Sequence, residues 1–229
     1  MKICHVSSAH PSTDTRVFIK ECSSLASAGF ETYLVIKGES RVENNVNVVG
    51  VGNPPKSRIK RMLFFSKKVF KKSLELDCEL YHLHDPELLQ FVKKYKKRGK
   101  KVIFDSHEDV SAQIEDKYWI PRFLRKALSK IYQKYEASIV KKADAVIAAT
   151  PYIGKQFEGK ANKVVVVNNY PKLDDILFQS RPFADRNESI CFTGYIDDLR
   201  GEKIMVEAMK ESTATLIIAG DKVKATKTK

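Results

Sequence analysis

The residues of this 229-residue chain that could do chemistry lie in four short polar stretches, each abutting an apolar run. The first is HPSTDTR (10–16), where Thr13, Asp14, Thr15 and Arg16 lead into a helical pattern. Free backbone N–H groups and the positive end of the helix dipole suit an anion there, although Asp14 or Thr13 can simply cap the helix. Arg16 in the first turn opposes the dipole, a mild cost that an anionic group beside it would offset. The second stretch is HLHDPE (82–87). His82 and His84 alternate on a strand and so face one side, with His84 at the strand's end within reach of solvent or ligand. A metal would need a third close ligand, and Asp85 before Pro86 is better used as a helix cap, so no metal is assigned. The third stretch is FDSHED (104–109), with His107, Glu108 and Asp109 in a loop after a strand. A neutral imidazole there can donate to a hydroxyl and a carboxylate can accept from one. The plainer reading is a solvated loop with a capping aspartate. The fourth stretch, FTGYIDDLRGEKIMVEAM (192–209), places Gly194 at a strand end and Arg200-Gly201 at a helix start. Such glycines let backbone approach a phosphate and the arginine supplies charge-assisted bonds, but the spacing is neither GxGxxG nor a P-loop. A structural turn is the simpler reading of those residues taken alone.

These loops need a frame, and the periodicity provides one. Short β-branched runs predict strands at 2–6, 31–36, 46–51, 79–83, 101–105, 144–149 and 163–168. Amphipathic stretches predict helices at about 15–28, 57–76, 86–98, 119–142 and 151–158, with Gly29 and Gly99 at C′ positions and Thr150-Pro151 at a helix start. Strands alternating with helices predict an α/β fold, a doubly wound, Rossmann-like and mostly parallel sheet occupying residues 1–168. In open sheets of this kind ligands bind beyond the carboxyl ends of the strands, where the polar stretches fall. Residues 169–187 read as a linker. Residues 188–221 read as a single βαβ unit, the beginning of a second α/β domain, since one unit cannot bury both faces of its sheet. Residues 222–229 form a basic tail.

Charge is unevenly placed. The formal net charge is +13, yet residues 56–101 carry +10 and residues 117–142 carry +7, leaving the remainder acidic. The segment SRIKRMLFFSKKVFKKSLEL follows Lys56 and has no acid up to Lys72. Its cations, Lys56, Arg58, Lys60, Arg61, Lys67, Lys68, Lys71 and Lys72, exceed what solubility requires. Its apolar residues, Ile59, Met62, Leu63, Phe65, Val69, Phe70 and Leu74, recur broadly at helical spacing and predict a core-facing side. A basic face resting on anionic lipid headgroups fits, at about 1 kcal/mol per basic residue near the surface. Nucleic acid is not expected, because no groove-reading or RNP-like motif accompanies the charge. No apolar run is long enough to span a membrane, and the N-terminal apolar stretch is too short for a secretory signal. Cys4, Cys22, Cys78 and Cys191 are widely spaced and read as reduced core residues. A cytoplasmic location is expected, peripheral on the inner face of the plasma membrane.

Taken in order, HVSSAHPSTDTRVFIKECSSLASAGFETYLV, YHLHDPELL, FDSHED, AATPYI, VVNNYP and FTGYIDDLRG…EAM…LIIAGD resemble the family-4 retaining glycosyltransferases of bacterial cell-surface polysaccharide synthesis. The resemblance implies the GT-B architecture, in which an N-terminal domain receives a lipid-linked or saccharide acceptor and a C-terminal domain grips a nucleotide-sugar donor. It implies transfer with retention, without a metal or other cofactor. By the same resemblance His107 matches the histidine that contacts the donor sugar. Thr13, Asp14, Thr15 and Arg16 match the loop near the donor phosphates, and Gly194, Arg200 and Gly201 match the start of the diphosphate-binding segment. His84, Glu108 and Asp109 stand as acceptor-side candidates. The family's Gly-Gly in the first loop is replaced here by Thr13-Asp14-Thr15, and the arginine that often follows the glycine of the second domain is Tyr195. The family's paired glutamates would lie beyond LIIAGD, so the expectation is a truncated chain that lacks most of its donor site, with its activity left open. Two alternatives stand beside this reading: a nucleotide-sugar epimerase of the same architecture, and a non-catalytic domain that binds membrane or another anionic surface.

Overall fold

A computed structural model describes residues 1–117, 120–172, 182–196 and 200–221, apart from the side chain of Arg58. Residues 173–181 of the expected linker, the expected basic tail 222–229 and Asp197-Asp198-Leu199 of the fourth stretch lie outside the described residues. The chain divides into two compact units, Met1–Tyr170 and Pro171–Lys229.

The first unit is built on one sheet of eight strands: β1 (Lys2–Val6), β2 (Glu31–Ile36), β3 (Arg41–Glu43), β4 (Val46–Gly50), β5 (Leu80–Leu83), β6 (Lys101–Ser106), β7 (Ala145–Ala148) and β8 (Val164–Val166). Their order is β3-β4-β2-β1-β5-β6-β7-β8. Pairing is parallel throughout, except that β3 runs antiparallel to β4. From β1 the chain winds outward through β2, then restarts at β5 and winds the other way, so the strand order reverses between β1 and β5. Periodicity did not predict β3. Asn44 and Asn45, at φ 52° and 59°, form the two-residue turn of a hairpin whose right-handed twist they match.

The two faces of the central strands differ in chemistry. Cys4, Val6, Tyr81, Leu83, Val102 and Phe104 point to one side and belong to a single buried core. The basic helix, running through Arg61–Phe65 and Ser66–Glu75, delivers Phe65, Val69 and Phe70 to that core, and Pro86–Phe91 with Val92–Lys96 delivers Leu88, Leu89, Phe91 and Tyr95. Phe70 stacks on Phe91 at 4.4 Å and Tyr81 on Tyr95 at 4.3 Å between ring centroids. Each fully buried side chain of this size contributes about 1.5–3 kcal/mol of transfer free energy. The opposite face is covered by the first helix, π-helical over Thr15–Cys22 and α-helical over Ser23–Ser27. Val17, Phe18 and Cys22 pack on Leu34, Ile36, Val46 and Val48. Toward β1, β5 and β6 this face turns polar.

Two sequence expectations change here, and one helix is added. The helix predicted over 119–142 runs Arg122–Val140, starting directly after Pro121, and ahead of it Val110–Asp116, capped by Asp109, is a helix that periodicity did not predict. The basic helix buries only its C-terminal half: Ile59, Met62, Leu63 and Phe64 are exposed, so they do not face a core. Cys191 is exposed, whereas Cys4, Cys22 and Cys78 are buried thiols as expected.

The second unit holds β9 (Ser189–Thr193) and β10 (Thr215–Ala219), paired in parallel from Ser189↔Thr215 to Thr193↔Ala219, with helix Glu202–Ala208 between them. None of its described residues is buried. Among the described residues of the chain, no helix is long and apolar enough to cross a membrane.

Candidate functional site

The crevice where strand order reverses is closed by the loops after β1 and β5. Asp85 ties them together. Its Oδ2 accepts from Ser7 Oγ at 2.9 Å, Ser8 N at 2.5 Å, Ser8 Oγ at 3.2 Å and Ala9 N at 3.1 Å. The capping role expected of Asp85 is therefore corrected: its side chain makes no cap bond to the helix it precedes. The carboxylate finds four donors in the neighbouring loop instead. Thr150 does cap, its Oγ1 accepting from Ile153 N at 3.2 Å.

Below this crevice the parallel register brings histidines together. His5 on β1 pairs with His82 on β5, and alternation places His84 on the same face. Their ring centroids lie 4.5–5.1 Å apart. His84 is buried, so its expected exposure is corrected: β5 is a central strand and the first helix lies over it. His84 Nε2 is 2.9 Å from His5 Nδ1. His107 and His10 continue the chain of rings, His107 lying 5.6 Å from His84 and 5.0 Å from His10. All five histidines of the sequence thus form one connected group.

Charge in this group centres on Arg16, Glu21 and Asp105. Arg16 Nη2 donates to Asp105 Oδ1 at 3.0 Å, its Nε lies 3.0 Å from Glu21 Oε1, and its Nη1 donates to Val167 O at 2.9 Å. The anionic group that offsets the helix dipole at Arg16 is therefore internal. Burial and the neighbouring Asp105 charge push Glu21 up to about 9 despite Arg16. Burial also works against a charged Asp105, but the neighbouring His107 and His84 imidazoles outweigh it and hold that carboxyl well below the usual range. Asp105 is the ionised member of the pair and Glu21 the protonated one.

Two clefts open above the group and share His10 and His107. One, about 660 Å³, is lined by Asp14, Thr15 and Arg16 with Thr150, Asn168 and Tyr170. The other, about 790 Å³, runs past Glu108 toward Arg61, Met62 and Leu63 on one wall and Tyr132 and Tyr135 on the other. His107 Nε2 lies 3.1 Å from Asp105 Oδ2, and the side chain is 16% exposed. An ionised Asp105 favours the proton on Nε2, which leaves Nδ1 as an acceptor toward the clefts.

The remaining candidates fall as follows. Asp14 accepts from the amides of Arg16 at 2.9 Å and Val17 at 2.8 Å, so those two N–H groups are not open to an anion. Thr13 is not among the residues lining either cleft. Asp109 is committed to the helix cap and to Gln156, accepting from Ala112 N at 2.9 Å and Gln156 Nε2 at 2.6 Å. Glu108 lines the second cleft and binds Gln113. In the second unit, Gly194 has φ 143° and Gly201 φ 81°, and a Cβ added at Gly194 would lie 3.6 Å from Arg200 Nη1. Arg200 sits over the Tyr195 ring at 5.8 Å. Of the basic patch, Lys56, Lys60, Lys67, Lys68 and Lys71 are exposed and Lys72 is half-buried beside Glu75, at 2.7 Å. Arg61 is paired with Glu87 at 3.0 Å, and the Arg58 side chain lies outside the described residues. His5, His10 and Glu21 were not candidates on sequence. The alternation of His5 with the apolar residues of β1 was the available signal.

His10 and Asp14 give this rim a pH dependence. Burial lowers His10, but the hydrogen bond to Asp14 at 3.0 Å and the charges of Asp85 and Asp14 raise it above 6.5. Burial raises Asp14, but His10 and the Val17 amide bring it from 3.8 down to about 2. The Asp14 contribution is present above 3.8 and lost as pH falls toward about 2. The His10 contribution is full below 6.5 and lost as pH rises through the raised value. Asp14→Asn, which keeps a capping oxygen, should therefore show its largest stability deficit between about pH 4 and 6.5 in urea denaturation. A deficit independent of pH would mean the pair does not form.

A sequence profile described as glycosyltransferase family 4 matches residues 15–170. No curated protein matches the chain significantly. Among solved structures, sucrose-phosphate synthase of Thermosynechococcus elongatus is similar with 13% identity and a TM-score of 0.65, over 99% of this chain and 64% of that one. The Anabaena protein HepE, solved in complex with UDP and glucose, has 13% identity and a TM-score of 0.66, over 98% and 62%. An E. coli structure described as trehalose-6-phosphate bound with UDP-2-fluoro glucose has 12% identity and a TM-score of 0.63, over 98% and 65%. The chain spans less than two thirds of the length of each.

Proposed function

The chain belongs to glycosyltransferase family 4, and from that premise we propose that it serves transfer of a glycosyl group from a nucleotide-sugar donor to a saccharide or lipid-linked acceptor, with retention and without a metal at the reacting bond. The observation that carries this reading is the meeting of two clefts at His107, beyond the carboxyl ends of the strands. In it the donor sugar occupies the cleft lined by Asp14, Arg16 and Asn168, and His107 Nδ1 accepts from a sugar hydroxyl. Asp105 orients the imidazole. The acceptor enters along the second cleft, with Glu108 at its inner end. Within the second unit, Arg200 beside Gly194 and Gly201 suits a diphosphate, with which it would make charge-assisted bonds.

The acceptor reading extends to a membrane surface. Met62, Leu63 and Phe64 on the basic helix and Phe123, Leu124, Leu128 and Ile131 on Arg122–Val140 are exposed apolar side chains interleaved with lysines and arginines. Apolar residues ringed by cations suit a headgroup layer, with the second cleft opening between the two helices.

Two arms of one experiment test the proposal. The chain is incubated with UDP-, GDP- and ADP-sugars and with saccharide or polyprenyl-linked acceptors, and the product is analysed for anomeric configuration. Transfer with retention supports the reading, and transfer with inversion, or epimerisation of the donor sugar without transfer, removes it. In flotation, the chain should rise with anionic vesicles and be released by salt. Equal binding to neutral vesicles would rule out the basic helix as the contact.

A further inference from the structure

The face of the sheet beneath the first helix holds a convergence that glycosyl transfer does not use. Glu21 Oε2 is buried and accepts no hydrogen bond. It lies 3.9 Å from His5 Nδ1, 4.0 Å from His82 Nδ1 and 3.9 Å from His84 Nε2. Those gaps are too long for hydrogen bonds and leave room for something between the four side chains. A ligand atom from each of the four lies within 4.8 Å of the others.

We propose that His5, Glu21, His82 and His84 bind one divalent transition-metal ion of the zinc class, through His5 Nδ1, His82 Nδ1, His84 Nε2 and Glu21 Oε2. Three imidazoles and one carboxylate are a ligand set that such ions take, whereas calcium and magnesium want oxygen. In a tetrahedral site with bonds of about 2.0–2.1 Å, neighbouring ligand atoms are about 3.3 Å apart. The 3.9–4.0 Å separations would close by roughly half an ångström, and the 2.9 Å pair of His5 and His84 would open by a similar amount.

The surroundings match what such a site needs. Metal-bound imidazoles commonly present their second nitrogen to a carboxylate, which fixes the ring. His82 Nε2 is 3.7 Å and His84 Nδ1 3.4 Å from Asp105 Oδ2, and neither nitrogen has a hydrogen-bond partner. The other oxygen of Glu21 is turned to Arg16 at 3.0 Å. Arg16 already balances Asp105, so a bound dication would displace the proton of Glu21 and meet that carboxylate's charge itself. The ring is contributed by β1, β5 and the first helix, so the ion would clamp helix to sheet directly behind Asp105 and His107.

The test uses the full chain purified without a polyhistidine tag. Elemental analysis should find close to one zinc per chain. After chelation and dialysis, titration against a chromophoric chelator should restore one equivalent, with a rise in melting temperature. Cobalt substitution should give the intense visible bands of a four-coordinate site. Glu21→Gln and His82→Gln, each confirmed folded by circular dichroism, should bind at least about tenfold more weakly, while Cys191→Ser should bind as the unaltered chain does. A folded chain that takes up no stoichiometric metal overturns the proposal. So does cobalt with the pale spectrum of a six-coordinate hydrated ion, or undiminished affinity in both variants. If the variants fail to fold, stoichiometry and the cobalt spectrum of the unaltered chain decide.

Discussion

Arg16→Met should destabilise the first unit by about 3–5 kcal/mol, the usual cost of removing one partner from a buried ion pair. For a chain of this size that is a fall in melting temperature of roughly 6–20 °C. The side chain of Arg16 is 7% exposed and that of Asp105 not at all. Methionine fills similar space, so lost packing is a small part of the effect. What remains is an ionised Asp105 with no cation beside it, a Glu21 without its neighbour, and a Val167 carbonyl without its donor. Arg16→Lys should recover only part of the loss, because one ammonium cannot reach all three partners in the planar arrangement a guanidinium provides. Urea denaturation of the three proteins measures this. A deficit below about 1 kcal/mol for Arg16→Met would place the pair in the class of solvated ion pairs and contradict the burial.

The second large effect is catalytic. His107→Ala in protein that shows sugar transfer should lower kcat/KM by roughly 10²–10³-fold, the range seen when one preorganised polar contact to the reacting region is removed. Melting should change little, since His107 is partly exposed and Asp105 keeps Arg16 as its counter-ion. His107→Gln offers an amide oxygen toward the sugar and should recover some activity. Turnover unchanged in His107→Ala would exclude it from the site, and a collapse in melting temperature would assign it to structure instead.

Much of the fold could be read because strands and helices alternate in runs whose periods differ, and because Thr150-Pro151 and Gly29 mark boundaries by local sterics. The places where reading failed share a cause. Asp85 and Asp109 are chemically identical beside their helices, yet Asp85 turns away to four donors 76–78 residues distant while Asp109 caps. The local signal, a proline directly after Asp85, favours the aspartate that does not cap. Ile59, Met62 and Leu63 fit helical spacing as core residues, but spacing does not say how far a helix extends past the sheet it covers. His107 could be singled out from its loop. Its partners could not, because Arg16, Asp105 and His84 come from three elements whose adjacency is set by strand order.

The contrast between the two faces of β5 also bears on how the chain folds. Tyr81 and Leu83 belong to the apolar core, while His82 and His84 meet Glu21 and Asp105 on the other side. A parallel strand slipped by one residue exchanges its faces. For β5 that slip would drive two imidazoles among Tyr95, Phe91 and Phe104 and press a tyrosine onto buried carboxylates. Every off-by-one pairing of β5 with β1 or β6 therefore carries several unsatisfied polar groups at once. Strands that are oily on both sides, as buried parallel strands often are, have no such mark and can mispair at small cost. In this chain the polar seam makes the central strand self-indexing, so misregistered forms should be short-lived during folding.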